Sequence, residues 1–155
     1  MKYLIALMLT AVFAGFAAAD DLRGTLRVID GDTVDIGQVR VRIFGIDAPE
    51  MDQSCENQAG DTWSCGLWVT AQLRSEFEGR QANCETIDID RYGRVVMRCF
   101  AGKTDLGAAL VQAGLALAYR QYSSIYSADE ESAKTAKLGM WAGAFTAPWA
   151  WRRSR

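Results

Sequence analysis

The chain has 155 residues, four cysteines and no histidine, with a formal net charge of −2 and an isoelectric point near 5.2. That length suffices for one domain with a real core and not for two. The acidic balance excludes a broadly basic nucleic-acid coat, which carries clustered positive charge, and the missing imidazole excludes histidine-based acid–base chemistry.

At the N-terminus Lys2 forms a short basic head, Tyr3 to Phe16 is apolar, and Ala17-Ala-Ala19 precedes Asp20. This is the layout of a secretory leader cleaved after Ala19. The apolar run is shorter than the ~20 residues a membrane span needs, and polar chain follows at once. Residues 1–19 are therefore read as a signal peptide, 20–142 as the folded domain and 143–155 as a Trp/Arg-rich C-terminal tail. The expected destination is the periplasm or the extracellular medium, with no membrane insertion once the leader is gone.

From Leu22 to Ile46 apolar residues recur with period two: Leu26 and Val28, Val34 and Ile36, then Val39, Val41 and Ile43. With turns at Gly31-Asp32 and Gly37-Gln38, this predicts three strands of a meander. On the third strand Arg40 and Arg42 point away from the core face, which predicts an Arg42 on the outer surface of the sheet. Leu67, Val69, Leu73 and Phe77 keep helical spacing up to a stop at Gly79. A hairpin is expected over 81–100. A short helix should follow over Asp105 to Ala113, capped by Thr104 and ended by Gly114. Ser127-Ala-Asp-Glu130 fits a capping box for a helix running through Lys137 to Gly139, with Glu130 and Lys134 paired on its wet face. Trp63, Trp68 and Trp141 read as packing residues, and the tail carrying Trp149, Trp151 and Arg152-Arg-Ser-Arg155 reads as an untethered terminus.

Four cysteines in a chain bound for an oxidising compartment imply two disulfides. If 83–90 and 94–100 form the hairpin, centred between Arg91 and Tyr92, Cys84 lies opposite Cys99 at a distance a disulfide spans. Of the three connectivities this favours Cys84–Cys99 with Cys55–Cys65. No CxxC knuckle is present for a structural zinc.

Three acidic and basic pieces stand out: Asp30-Gly-Asp32-Thr33, Arg42 with Asp47-Ala-Pro-Glu50, and Asp90-Arg-Tyr-Gly-Arg94. Asp32 and Asp47 offer hard oxygens to a divalent cation, Glu50 a proton acceptor, and Arg42 and Arg94 planar forks that match phosphoryl oxygens. Each piece alone is an ordinary turn or exposed strand; together they read as a metal site facing a phosphate.

Five motifs carry a family resemblance: Val28-Ile-Asp-Gly-Asp-Thr-Val34, Arg42-Ile-Phe-Gly-Ile-Asp-Ala-Pro-Glu50, Asp90-Arg-Tyr-Gly-Arg94, Ala118-Tyr-Arg-Gln-Tyr122 and Leu138-Gly-Met-Trp141. In this order, over roughly residues 23–142, they resemble the staphylococcal nuclease (thermonuclease) family. The resemblance implies an α+β fold, a five-stranded OB-type Greek-key β-barrel with about three helices. It also implies a Ca²⁺-dependent endonuclease acting on DNA, with RNA as a further substrate, and leaving 3′-phosphate ends; a monomer is expected. Asp32, Asp47 and the backbone carbonyl of Ala48 would hold the metal, with Asp30 just outside. Ala48 stands where the family's type enzyme has threonine. Glu50 would act on the attacking water, Arg42 and Arg94 on the phosphate, and Tyr92 and Tyr119 would flank the nucleotide. The competing reading is a non-catalytic OB-fold module of the cell envelope that binds oligonucleotides or a protein partner.

Overall fold

The period-two alternation at the start of the chain produces three antiparallel strands, β1 (Leu22–Val28), β2 (Thr33–Ile36) and β3 (Val39–Ile43). The computed structural model describes residues 21–155, so the leader expected over 1–19 lies outside the described residues. Leu26 faces Ile36, and Val28 faces Val34; Val34 in turn faces Val41. All five side chains are buried, and burying each contributes about 1.5–3 kcal/mol. Val39 departs from expectation: it lies at the strand start and is exposed.

The hairpin forms from β4 (Gln81–Ile89) and β5 (Val95–Ala101). Cys84 pairs with Cys99, and a bulge between Thr86 and Asp88 shifts the register toward the turn. β4 also runs antiparallel to β1. The parallel pairing of β5 with β3, Val41 to Val95 and Ile43 to Met97, closes the sheet into a five-stranded mixed barrel. Closure removes the free edges an open sheet would expose.

Among the described residues, four helices pack around it. α1 (Cys65–Phe77) buries Cys65, Val69, Leu73 and Phe77, a stripe of period four. Leu67 falls off that stripe and is exposed, contrary to expectation. α2 (Leu106–Gln112) is capped by Asp105, whose side chain accepts from the Ala108 amide, and not by Thr104. Thr104 is taken up in a strand pairing with Ala101. α3 (Ser127–Thr135) begins without a side-chain cap. Glu130 is turned inward, accepting from the Ala118 amide at 2.9 Å and from Arg120 at 2.8 Å. It therefore completes neither a capping box nor a pair with Lys134, which instead lies over the Trp141 ring.

The C-terminal segment is the main departure from the sequence reading. After a 3₁₀ turn at Gly139–Ala142 the chain is held by a bridge between Glu56 and Ala144 and by Phe145 packed on Trp141. It ends in α4 (Pro148–Arg153), with proline in the first turn. The tail is folded onto the domain and is not an untethered terminus. Both expected disulfides are present, Cys55–Cys65 and Cys84–Cys99, and Trp63 packs edge-on to Trp68. Among the described residues no helix is long and apolar enough to cross a membrane.

Candidate active site

Asp32 enters the site from the β1–β2 turn. Its amide donates to Asp30 Oδ1 at 3.1 Å, which folds the turn back on itself, while Thr33 Oγ1 donates to Asp32 Oδ1 at 3.0 Å. Asp47 arrives from the far side. Gly45 adopts a φ of 75°, open to glycine at no steric cost, and turns the chain at the end of β3. Ile46–Asp47 then pairs with Leu117–Ala118, which fixes the direction of the Asp47 side chain.

Arg42 joins the two carboxylates. Its Nη1 lies 3.0 Å from Asp32 Oδ2 and its Nη2 3.1 Å from Asp47 Oδ1. Arg42 does point away from the barrel core, as the alternation requires. It is nevertheless not on an open surface: its side chain keeps 15% exposure and those of Asp32 and Asp47 keep 9% and 0%. The Arg42 guanidinium is held more firmly charged than usual, since burial, which opposes charge, is outweighed by the two carboxylates. Burial pushes the Asp47 carboxyl above the usual carboxylate range; hydrogen bonds from Arg152 pull it back and the charge of Asp32 adds to the rise. Asp30 is raised for the same two reasons, burial and then the Asp32 charge.

Glu50 hangs from a loop that is braced from below. The buried Gln53 accepts from the Glu50 amide at 3.3 Å, returns its own amide to the Glu50 carbonyl at 2.8 Å, and donates its side-chain amide to the Thr146 carbonyl at 2.7 Å. Behind it, Gly66 approaches so closely that a Cβ there would lie 1.7 Å from the Glu50 carbonyl oxygen. The Cys55–Cys65 disulfide closes the loop that follows and ties the end of the Glu50 segment to the start of α1.

Arg94 comes from the hairpin turn, where Asp90 accepts from the Tyr92 and Arg94 amides and from Arg94 Nε at 2.7 Å. Burial alone would raise the Asp90 carboxyl, but these bonds hold it below its ordinary value. The Arg94 guanidinium lies over the Tyr92 ring, which is 70% exposed.

Asp30, Asp32, Arg42, Ala48, Glu50, Tyr92, Arg94 and Tyr119 all line one cleft of about 790 Å³, whose remaining walls include Ile87, Ile89 and Tyr122. Asp47 lies beneath, behind Arg42. Tyr119 is stacked at 5.6 Å on Trp149 of α4. The sequence reading missed two residues. Gln53 looked like ordinary loop, and no local signal marks it. Arg152 belongs to the tail: its Nη1 lies 3.0 Å from Asp47 Oδ1 and 2.6 Å from Glu50 Oε1, and its Nη2 2.8 Å from Asp47 Oδ2.

The donor chemistry fits a hard divalent cation. Asp32 and Asp47 supply anionic oxygens in an enclosed setting, with Arg42 shared between them and Arg152 also on Asp47. Among the described residues no closed group of three or more acidic or thiol side chains forms a metal cage; two carboxylates leave coordination positions for water and substrate.

A family profile described as "Staphylococcal nuclease homologue" matches residues 40–143. The chain belongs to the staphylococcal nuclease family. Membership carries nuclease (hydrolase) activity, nucleic acid as substrate and dependence on metal. Among similar proteins, the chain is 30% identical over 153 residues to an uncharacterized endonuclease of Escherichia coli, covering 93% of this chain and 94% of that protein. It is 33% identical over 153 residues to a micrococcal nuclease of Shigella flexneri, covering 86% and 82%. It is 34% identical over 127 residues to succinoglycan biosynthesis protein ExoI of Rhizobium meliloti (strain 1021), covering 80% of this chain and 66% of that one.

Proposed function

We propose that this nuclease is a Ca²⁺-dependent phosphodiesterase that cuts DNA or RNA by in-line attack of water at phosphorus, leaving 3′-phosphate ends, in the periplasm or outside the cell. The observation that carries the reading is the Asp32–Arg42–Asp47 cluster, of which Asp32 and Arg42 line one cleft with Glu50 and Arg94 while Asp47 lies enclosed beneath. Asp32, Asp47 and the Ala48 carbonyl would hold the metal, with Asp30 just outside that set. When bound, the metal supplies Lewis-acid polarisation of the phosphoryl group. Glu50 takes the proton from the attacking water as the new O–P bond forms. Arg42 and Arg94 donate to the phosphoryl oxygens as negative charge grows on them, and the bond to the 5′ oxygen breaks, that oxygen taking a proton from solvent. A guanidinium stays protonated throughout, so charge stabilisation is its role. Tyr92 and Tyr119 flank the nucleotide. Two disulfides support an oxidising compartment.

The test is cleavage of single-stranded DNA by the oxidised protein in Ca²⁺ or in EDTA. Turnover should require Ca²⁺ and fall by about 10²–10⁴ in Glu50→Gln and by about 10²–10³ in Arg94→Ala. Unchanged rates in folded variants would refute these roles, and no cutting by the folded wild type would favour the oligonucleotide-binding reading.

A further inference from the structure

Arg152 lies beyond residue 143, where the family match ends, yet it makes the densest set of charged contacts in the site. Its fork covers both oxygens of Asp47 and reaches Glu50 with the same Nη1. Since Arg42 also bonds Asp47 Oδ1 and the Asp47 side chain is fully enclosed, both Asp47 oxygens already carry a guanidinium contact. A calcium ion would need to sit within about 2.3–2.6 Å of such an oxygen. A guanidinium nitrogen 2.8 Å from Asp47 Oδ2 would then be a cation pressed against a cation. With Arg152 docked, Glu50 Oε1 is likewise engaged in a salt bridge.

We infer that α4 is an intramolecular gate, with Arg152 occupying the carboxylates that the metal needs, so that helix docking and metal loading exclude one another. The inference rests on the proposed metal role of Asp47. The chain is built for such a movement. Residues up to Thr146 are anchored independently, by the Glu56–Ala144 bridge and by Gln53 on the Thr146 carbonyl. Beyond Ala147 the attachment includes the buried Pro148, Trp149 packed against the core and stacked on Tyr119, the partly buried Trp151, the Arg152 contacts and an exposed ion pair between Arg155 and Asp52. The indole N–H of Trp151 is buried in the docked helix without an acceptor, which subtracts from what burial of its ring contributes to the dock. Release also uncovers Tyr119, so metal loading and access to the nucleotide wall are coupled through one short helix.

The experiment titrates CaCl₂ into the metal-stripped full chain, without nucleic acid, and reads heat and tryptophan fluorescence together. The wild type should bind with a fluorescence change as Trp149 leaves Tyr119. Arg152→Gln should bind at least about tenfold tighter, as expected if the arm is docked about nine-tenths of the time, and should begin at the released fluorescence value. Trp149→Ala keeps the Arg152 charge while weakening the dock, so it should tighten binding as well, and it carries the test if Arg152→Gln does not fold. Arg153→Gln, the same loss of charge one residue away, should stay within about twofold of the wild type, because an exposed charge is screened. Equal affinity in the wild type, Arg152→Gln and Trp149→Ala would overturn the gate and leave the metal site standing. No binding by any folded form would remove both.

Discussion

Arg42 ties the two sides of the site together, and its replacement tests whether the pair of carboxylates depends on it. Arg42→Gln keeps much of the side-chain length but removes the charge shared by Asp32 and Asp47. Breaking a buried ion pair by removing one partner costs about 3–5 kcal/mol, because a charge is left uncompensated. Here the cost is smaller: Asp47 keeps the Arg152 fork, and Arg42 is not wholly buried. A loss of about 2–3 kcal/mol is expected, falling mainly on Asp32. At roughly 2.1 cal/mol/K per residue, a domain of this size unfolds with an entropy near 0.28 kcal/mol/K, so the melting temperature should drop by about 7–11 °C. The assay is thermal unfolding followed by circular dichroism at neutral pH in EDTA. Adding Asp32→Asn should recover most of the loss, since the remaining carboxylate, Asp47, still has Arg152, while neither variant should cleave DNA. A melting temperature within about 2 °C of wild type for Arg42→Gln alone would refute the claim that the arginine compensates these carboxylates.

Gly66→Ala should lower turnover by about a hundredfold, the scale of a 1 Å misplacement of a reacting group, because the new Cβ would meet the Glu50 carbonyl; steady-state kinetics at saturating DNA would show it, and wild-type kcat would refute it. Replacing Cys84 and Cys99 by serine removes a crosslink across 15 residues and should cost about 3 kcal/mol in urea unfolding. Opening Cys55–Cys65, which ties the end of the Glu50 segment to α1, should instead reduce cleavage more than stability, and the reverse order would contradict the bracing role. Asp35 is held below the usual carboxylate range by Arg40 first, against its burial, and then by Arg27. Its contribution is therefore complete at neutral pH and is lost as pH falls through that lowered value. The urea midpoints of wild type and Asp35→Asn should differ at pH 7 and draw together only as pH falls below the ordinary carboxylate range; a gap independent of pH would show that charge is not its origin.

The parts of this molecule legible in the sequence are those set by local periodicity. Strand alternation placed Leu26, Val34, Val41 and their neighbours inside the barrel, and hairpin register placed Cys84 against Cys99. The barrel closure itself was not legible from pattern: the parallel pairing of β5 on β3 joins segments far apart in the chain, and only the family resemblance carried it. The errors also have a common cause. Thr104, Glu130 and Leu67 each satisfied a local rule, as cap, capping-box partner and apolar stripe member. Each lost to a tertiary partner: Thr104 to a strand pairing, Glu130 to Ala118 and Arg120, and Leu67 to a stripe that runs through Cys65 and Val69.

Arg152 is the most consequential of these cases because it was invisible for two reasons at once. A basic, Trp-rich end with no period reads as loose chain, and its partners Asp47 and Glu50 had already been assigned other work. Yet the electrostatics of Asp47 required a second cation. It is a fully enclosed carboxylate, raised above the usual range by burial and by Asp32 even with Arg152 in place, and Arg42 is shared with Asp32. Two close carboxylates and one guanidinium leave an excess negative charge in a low-dielectric pocket, and such an excess is costly until a cation arrives. The same imbalance that makes the pocket able to hold a metal makes it able to hold an arginine from its own chain.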